Sequence, residues 1–324
     1  MRRERSRGPI RVGFAGRPDP GVTEALEALG GVACEVVDDP AGDLAALARR
    51  VDVLVTRSSH RVDASLLGQA ADAGLRAVVQ ASSGADNIDR VRAAEVGVEV
   101  VQVDPGNATA VAELTLLGLL AAFRGIRRYW DDTPRGVWPD RERVDDRELR
   151  GRTLGLVGLG RVGSRVALRA RAFEMRVLAV DPYVPDERFR RFGAERVEDL
   201  PSMCPRLDAL SLHCPLTDET VGMVDRDVFD LLPRGAVLVN TARGAIVEQR
   251  ALREALDGGR LRAAVLDVHV PEPVEPGGLA AHPRVLATPH IAGHTVDSHA
   301  ARARALTEAL VTLVRRLAGG EGGR

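Results

Sequence analysis

The sequence contains no lysine, so all 45 of its basic residues are arginine. That absence excludes pyridoxal Schiff bases, aldolase imines and the lysine of a phosphate loop. An active-site cation in this chain must therefore be an arginine, a histidine or a metal ion. The absence itself fits a genome that favours arginine. Aromatic residues make up only 3% of the chain, so a base-stacking platform for nucleic acid is not expected. Acidic residues number 46 against the 45 arginines, a net charge of −1, which offers no general field for nucleic acid or an anionic membrane. Cysteine is scarce. Cys34, Cys204 and Cys214 are widely spaced with no CxxC pair, which points to a reducing, cytoplasmic compartment and to no zinc ribbon. The most apolar run, Ala108 to Phe123, carries Glu113 and is shorter than the ~20 residues that span a bilayer, so a buried helix is expected. The basic stretch Met1 to Pro9 has no apolar segment behind it and reads as a frayed tail rather than a signal peptide.

What is present is an alternation. At 324 residues the chain has room for two domains. Strand-like runs at 10–16, 33–37, 51–56, 75–80 and 98–103 alternate with helical spacing at 22–29, 44–50 and 62–73. After Asp104-Pro105-Gly106-Asn107 a long helix is expected from Ala108 to about Tyr129, then mixed loop and short helix from Asp131 to Arg150. The alternation restarts with strands at 153–157, 176–180, 209–212, 236–240, 263–268 and 285–288, and helices at 162–173, 249–256 and 296–317. Near-continuous apolar strands separated by helices imply parallel sheets covered on both faces. The predicted fold class is α/β, with two doubly wound parallel-sheet domains.

Gly158-Leu-Gly160-Arg-Val-Gly163 follows an apolar strand and opens a helix. The first glycine permits a tight turn, the second lets backbone approach a pyrophosphate, and the third lets helix pack on strand. Phosphates would then meet the N–H groups and positive end of the helix. Asp181 closes the next strand 18 residues after Gly163. A carboxylate there accepts both ribose hydroxyls and repels a 2′-phosphate, which favours NAD over NADP.

Three polar residues fall at later strand ends: Arg243 in Asn240-Thr-Ala-Arg-Gly244, Glu272 in Asp267-Val-His-Val-Pro-Glu272, and His290 in Thr288-Pro-His-Ile291. In open α/β sheets ligands bind outside the carboxyl ends of the strands. An arginine there can fork onto a carboxylate and polarise the adjacent carbonyl. A histidine can give or take the hydroxyl proton, and a carboxylate can orient the imidazole and favour its protonated form. These are the groups that reduction of a 2-oxo acid by a nicotinamide needs.

Together these segments resemble the D-isomer-specific 2-hydroxyacid dehydrogenase family, from about Val53 to the last helix. Glu148-Leu-Arg-Gly-Arg-Thr-Leu-Gly-Leu-Val-Gly-Leu-Gly160 resembles the entry to its cofactor domain, Asp181-Pro-Tyr183 its ribose-binding strand end, and Leu212-His-Cys-Pro-Leu-Thr217 its loop along the cofactor. The resemblance implies a flavodoxin-like substrate domain, residues 1–106 plus 294–324, and a Rossmann cofactor domain, residues 107–293, with a cleft between them. It implies Arg243, Glu272 and His290 as the catalytic residues. Implied NAD contacts are Gly158, Gly160, Arg161, Val162, Gly163 and Asp181, with His213, Cys214, Pro215 and Thr220 along the cofactor. Thr241, Ala242, Arg243, Asp267, His290 and Gly293 complete that set, Asp267 facing the nicotinamide carboxamide. In Gln80-Ala-Ser-Ser-Gly-Ala-Asp-Asn-Ile-Asp89, backbone N–H groups near Ser83 and Gly84 would hold the substrate carboxylate, and Arg57 would edge the same site with Arg243 and His290. The implied assembly is a homodimer through the cofactor domain.

The expected activity is interconversion of a small 2-oxo acid and its D-2-hydroxy acid with NAD(H), with glyoxylate or hydroxypyruvate as substrate. Three departures bear on this. The aromatic and acidic residues often found after the Asp-Val pair are here His269 and Val270. The basic residue typical of phosphoglycerate dehydrogenases in the substrate loop is absent from Gln80-Ala81-Ser82-Ser83, and no regulatory domain is expected after the final helix. Both argue against phosphoglycerate, which stays as an alternative. Glutamate at 272 argues against formate, and the missing lysine against phosphite. The first alternative, ahead of phosphoglycerate, is a corepressor-like protein of this fold that binds NAD(H) and partners. It is weakened by the lack of long charged tails. His290 and His294 have i, i+4 spacing with His299 near, but a metal site would need a third ligand and a helix running through Gly293, so none is expected.

Overall fold

The structure is a computed structural model that describes residues 8–38, 44–57, 60–82, 84, 87–140 and 145–319. The chain divides into two compact units, Met1–Asn107 with His294–Arg324, and Ala108–Gly293.

The first unit runs β1 (Ile10–Ala15), α1 (Val22–Glu27), β2 (Val32–Val37), α2 (Leu44–Arg50), β3 (Val53–Thr56), α3 (Ala64–Ala73), β4 (Ala77–Gln80), α4 (Arg90–Glu95) and β5 (Glu99–Gln102). Its sheet is parallel throughout, in the order β2-β1-β3-β4-β5. Side chains alternate between the faces of a strand, and both faces here are covered. Val53, Val55, Ala77 and Val79 pack toward α1 and the last helix, Val296–Gly319, through Leu306, Leu310 and Leu313. Leu54 and Val78 pack toward α2 and α3 through Leu47 and Leu67. Burying each such aliphatic side chain contributes roughly 1.5–3 kcal/mol.

The second unit runs α5 (Ala108–Phe123), α6 (Ile126–Asp132), β6 (Thr153–Val157), α7 (Arg161–Ala172), β7 (Arg176–Val180), α8 (Asp186–Phe192), β8 (Glu195–Arg196), α9 (Leu200–Met203), β9 (Ala209–Leu212), α10 (Arg226–Leu231), β10 (Ala236–Asn240), α11 (Gln249–Asp257), β11 (Leu261–Leu266) and β12 (Val285–Ala287). The seven strands are parallel in the order β12-β11-β10-β9-β6-β7-β8. Leu154, Leu156, Val237 and Val239 face α5 and α7, while Leu210, Leu212, Leu238 and Leu266 face α10 and α11. Strand order reverses at β6, whose neighbours are β7 on one side and β9 on the other. A crevice at such a switch point is where this fold binds ligands.

Several elements differ from the sequence reading: α4, α8, β8, α9 and α10 stand where no element was expected, and the long first helix of the second unit is broken. The long helix expected to reach Tyr129 stops at Phe123, and α6 leaves at a 70° bend. Gly125 takes φ 56, a left-handed conformation that ends a helix at little cost for glycine. Among the described residues no single helix is long and apolar enough to cross a membrane. Glu113, the one charge in α5, pairs with Arg169 of α7 at 3.2 Å.

Candidate active site

The glycine turn after β6 has the geometry its spacing predicts. Gly158 sits at φ +93, and a Cβ there would lie 2.8 Å from the His213 carbonyl oxygen. A Cβ on Gly163 would lie 2.1 Å from the Gly158 oxygen, so only glycine lets α7 start so close to β6. Gly160 differs: nothing lies within 4 Å of where its Cβ would be. The open side of Gly160, beside the first turn of α7 with Arg161 and Val162, is a cradle into which a pyrophosphate fits. Asp181, at the end of β7, accepts from the Leu159 N–H at 2.8 Å and the Tyr183 N–H at 3.0 Å. Its carboxylate is thus fixed where a ribose would sit, and these residues fit a dinucleotide without a 2′-phosphate.

At the end of β9, His213 meets the Ser211 hydroxyl at 2.9 Å, and burial pushes its pKa down to about 3, so the ring is neutral. Burial pushes the Cys214 thiol up to about 11, so it is not a thiolate nucleophile at neutral pH. Pro215 is exposed, and the Thr220 hydroxyl donates to its carbonyl at 2.7 Å, bracing that loop from within.

The candidate catalytic residues follow β10, β11 and β12, three adjacent strands. Buried Asn240 accepts from the Ala242 N–H at 3.0 Å and donates to the Arg243 carbonyl at 2.9 Å, which shapes the 241–243 turn. The Thr241 hydroxyl meets that of Thr115 at 3.3 Å. Arg243 Nη1 donates to the Ala242 carbonyl at 2.7 Å. A Cβ on Gly244 would lie 2.4 Å from the His269 carbonyl oxygen, so glycine here lets the loops after β10 and β11 touch. The chain passes cis bonds at Val270–Pro271 and Glu272–Pro273. Glu272 Oε1 accepts from the His269 N–H at 2.8 Å, and Oε2 accepts from His290 Nδ1 at 2.8 Å. This pairing assigns the proton to Nδ1 and leaves Nε2 to exchange one with a ligand. Burial pushes the Glu272 carboxyl up, but hydrogen bonds from His290 and the His269 N–H outweigh it and hold the group below its ordinary value. The two side chains remain 41% and 38% exposed, open to a small molecule.

Asp267 does more than its position suggested. It is 1% exposed and receives the Thr288 hydroxyl at 2.6 Å and the N–H groups of Ile291 and Ala292, both at 2.9 Å. His269 Nε2 donates to the Thr288 carbonyl at 2.9 Å. These bonds hold the segment in which His290 adopts φ 55, unusual for a residue with a side chain. Gly293, half-buried, closes that segment and the unit. Asp267→Ala is expected to lower kcat by about 100-fold, because small misplacements of reacting groups cost that much. Steady-state kinetics beside a melting curve check it.

In the first unit, Arg57 follows β3 and donates to the Arg17 carbonyl at 2.7 Å. Burial and the nearby Arg302 push its guanidinium below the ordinary value, against the pull of Asp19. Fully buried Gln80 donates to Ser82 Oγ at 2.6 Å, and to the Gly84 carbonyl and Asn87 Oδ1, both at 3.0 Å. Asn87 in turn donates to the carbonyls of Arg57 at 3.1 Å and His60 at 2.6 Å. The two loops are thereby stitched together. Ser83 lies outside the described residues. Among the described residues, no three His, Cys, Asp or Glu side chains are grouped to hold a metal.

Residues 116–292, more than half of the chain, match the family model of the D-isomer specific 2-hydroxyacid dehydrogenase NAD binding domain. The chain belongs to that family. The matched segment, the NAD binding domain of that family, contains the glycine turn and Asp181. The chain is 39% identical to a D-3-phosphoglycerate dehydrogenase of Methanocaldococcus jannaschii, over 82% of this chain and 50% of that protein. It thus spans about half the length of the phosphoglycerate relatives it matches. It is also 39% identical to an (S)-sulfolactate dehydrogenase of Chromohalobacter salexigens, over 82% of this chain and 84% of that one. A D-lactate dehydrogenase from Aquifex aeolicus, solved with NAD and lactic acid, superposes with a TM-score of 0.82 at 28% identity, covering 95% of this chain and 96% of that chain.

Proposed function

We propose that this dehydrogenase-family chain interconverts a 2-oxo acid and its D-2-hydroxy acid. The observation that carries the reading is the 2.8 Å Glu272–His290 pair on strand ends next to Arg243. NAD(H), when bound, supplies or accepts the hydride. Arg243 anchors the substrate carboxylate with its guanidinium fork and polarises the adjacent carbonyl. His290 Nε2 delivers the proton to that oxygen as it gains negative charge, and takes it back in the reverse direction. Ionised Glu272 holds Nδ1 and so orients the ring with Nε2 free to exchange a proton with the substrate.

We further infer that the preferred substrate carries a second anionic group on its third carbon. This differs from the glyoxylate or hydroxypyruvate expected from the sequence. Two observations support it. The 3-phosphoglycerate and sulfolactate in the relatives' names are both three-carbon 2-hydroxy acids with such a group. Arg57, half-buried and braced by Asn87, offers a guanidinium in the loop pair expected to receive substrate. Gln80 is neutral, and its amide is taken up by Thr56, Ser82, Gly84 and Asn87. The test compares kcat/KM for 3-phosphohydroxypyruvate, 3-sulfopyruvate, hydroxypyruvate and glyoxylate. Arg57→Gln is expected to cost roughly 10- to 100-fold with the phospho or sulfo substrate, the worth of a charge-assisted hydrogen bond, and far less with glyoxylate. A wild-type preference for glyoxylate, or equal losses on all four, would refute the inference.

A further inference from the structure

The glycine turn is held from outside by a residue that the motif does not include. Arg188 lies on α8, half-buried, its guanidinium 5.3 Å from the ring centre of Phe192. Its Nε donates to the Leu159 carbonyl at 2.5 Å, and its Nη2 to the Gly160 carbonyl at 3.0 Å. The same Nη2 reaches Ser164 Oγ at 3.5 Å, in the first turn of α7. One planar fork therefore grips two consecutive carbonyl oxygens of the turn.

In a trans peptide the carbonyl and the N–H point in opposite directions. The Leu159 oxygen shares its peptide with the Gly160 N–H, and the Gly160 oxygen shares its peptide with the Arg161 N–H. The Gly160 oxygen also accepts the Ser164 N–H at 3.2 Å, so α7 and Arg188 together set the Arg161 N–H, while the Arg188 bond to the Leu159 oxygen turns the Gly160 N–H to the other side. The preceding peptide is fixed too, because the Leu159 N–H donates to Asp181 at 2.8 Å. Glycine makes this stretch of chain permissive, so peptides left unbraced there would sample several orientations. Those orientations are what an anion at a helix N-terminus reads.

We propose that Arg188 is a positioning residue of the dinucleotide site: its fork presets the Gly160 N–H and, together with α7, the Arg161 N–H for the pyrophosphate. The proposal rests on the NAD reading of the glycine turn. Arg188 acts through the peptides and not as a charge in contact with the ligand. A guanidinium matters here because it is rigid and planar with divergent donors, whereas an ammonium is a point donor on a flexible stem.

The test measures binding of NADH, ADP and adenosine to wild-type protein, Arg188→Met and Arg188→Lys. Adenosine has no pyrophosphate and serves as the internal control. Arg188→Met is expected to weaken NADH and ADP about 10-fold and adenosine less than about twofold, and Arg188→Lys to weaken NADH at least about threefold despite its charge. In turnover, the loss falls on KM for NADH more than on kcat. NADH affinity within about twofold of wild type in both variants would overturn the proposal. So would equal weakening of ADP and adenosine with a lowered melting temperature, which marks a purely structural role. Wild-type affinity in Arg188→Lys alone would overturn the fork in favour of charge. Failure of wild-type protein to bind NADH at all would instead overturn the NAD reading on which the proposal stands.

Discussion

Replacing His290 by asparagine is expected to lower kcat by about 100- to 10,000-fold, the range a positioned acid–base group supplies, while NADH binds almost as before. Asparagine is the informative substitution because of where His290 sits. Its φ of 55 lies in the left-handed region, which asparagine tolerates better than other residues with a side chain. The asparagine amide can still donate to Glu272, as Nδ1 does at 2.8 Å in the wild type. Backbone and carboxylate are then satisfied, and what is lost is the second ring nitrogen that carries the proton. Alanine would confound the result by adding backbone strain and stranding the carboxylate. Stopped-flow turnover beside fluorescence titration of NADH separates the two parameters. Near-wild-type kcat would remove His290 from the chemistry.

Replacing Arg243 by glutamine is expected to raise KM for the oxo acid and lower kcat together, a drop of roughly 30- to several-thousand-fold in kcat/KM. The guanidinium has two proposed tasks, anchoring the carboxylate and polarising the carbonyl, and the second is performed only as charge develops on the oxygen. Both parameters should therefore move. The backbone around it is secured independently by Asn240, which takes the Ala242 N–H at 3.0 Å, so the turn survives the change. Arg243→Lys should recover part of the loss at most, since an ammonium cannot reproduce the fork. Initial-rate kinetics with the oxo acid varied at saturating NADH check both variants.

Much of this was legible in the sequence because it is local. The two strand–helix series follow from apolar runs and their separators. The glycine turn follows from three glycines and an aspartate at set spacing, and Arg243, Glu272 and His290 from polar residues just past strands. The parts that were hidden depend on partners distant in the chain or on conformations that composition does not reveal. Gly125 sits in a run of good helix formers, and its left-handed φ turns one helix into two. The short helices α4 and α10 rest on single caps, Asp89 and Asp225, too brief to show periodicity. Asp267 holds a loop more than 20 residues away, and only the folded chain shows its three bonds to the His290 segment. Arg188 resembles any exposed helix arginine among many until its fork is seen on Leu159 and Gly160. Gln80 stands in the loop where a basic residue would have spoken for phosphoglycerate. Its buried amide shows that the position serves to tie two loops together.

The absence of lysine thus leaves the proposed chemistry intact, because each cationic task in it calls for a planar fork or a titrating ring. The most direct test of the account is NADH oxidation by the wild-type protein, beside His290→Asn, over the same panel of 2-oxo acids extended with pyruvate. The account predicts turnover on at least one three-carbon member, with D-2-hydroxy acid as product, and its near-abolition in the variant. NADH binding without turnover on any member would contradict it and would favour a protein that binds the dinucleotide to recruit partners.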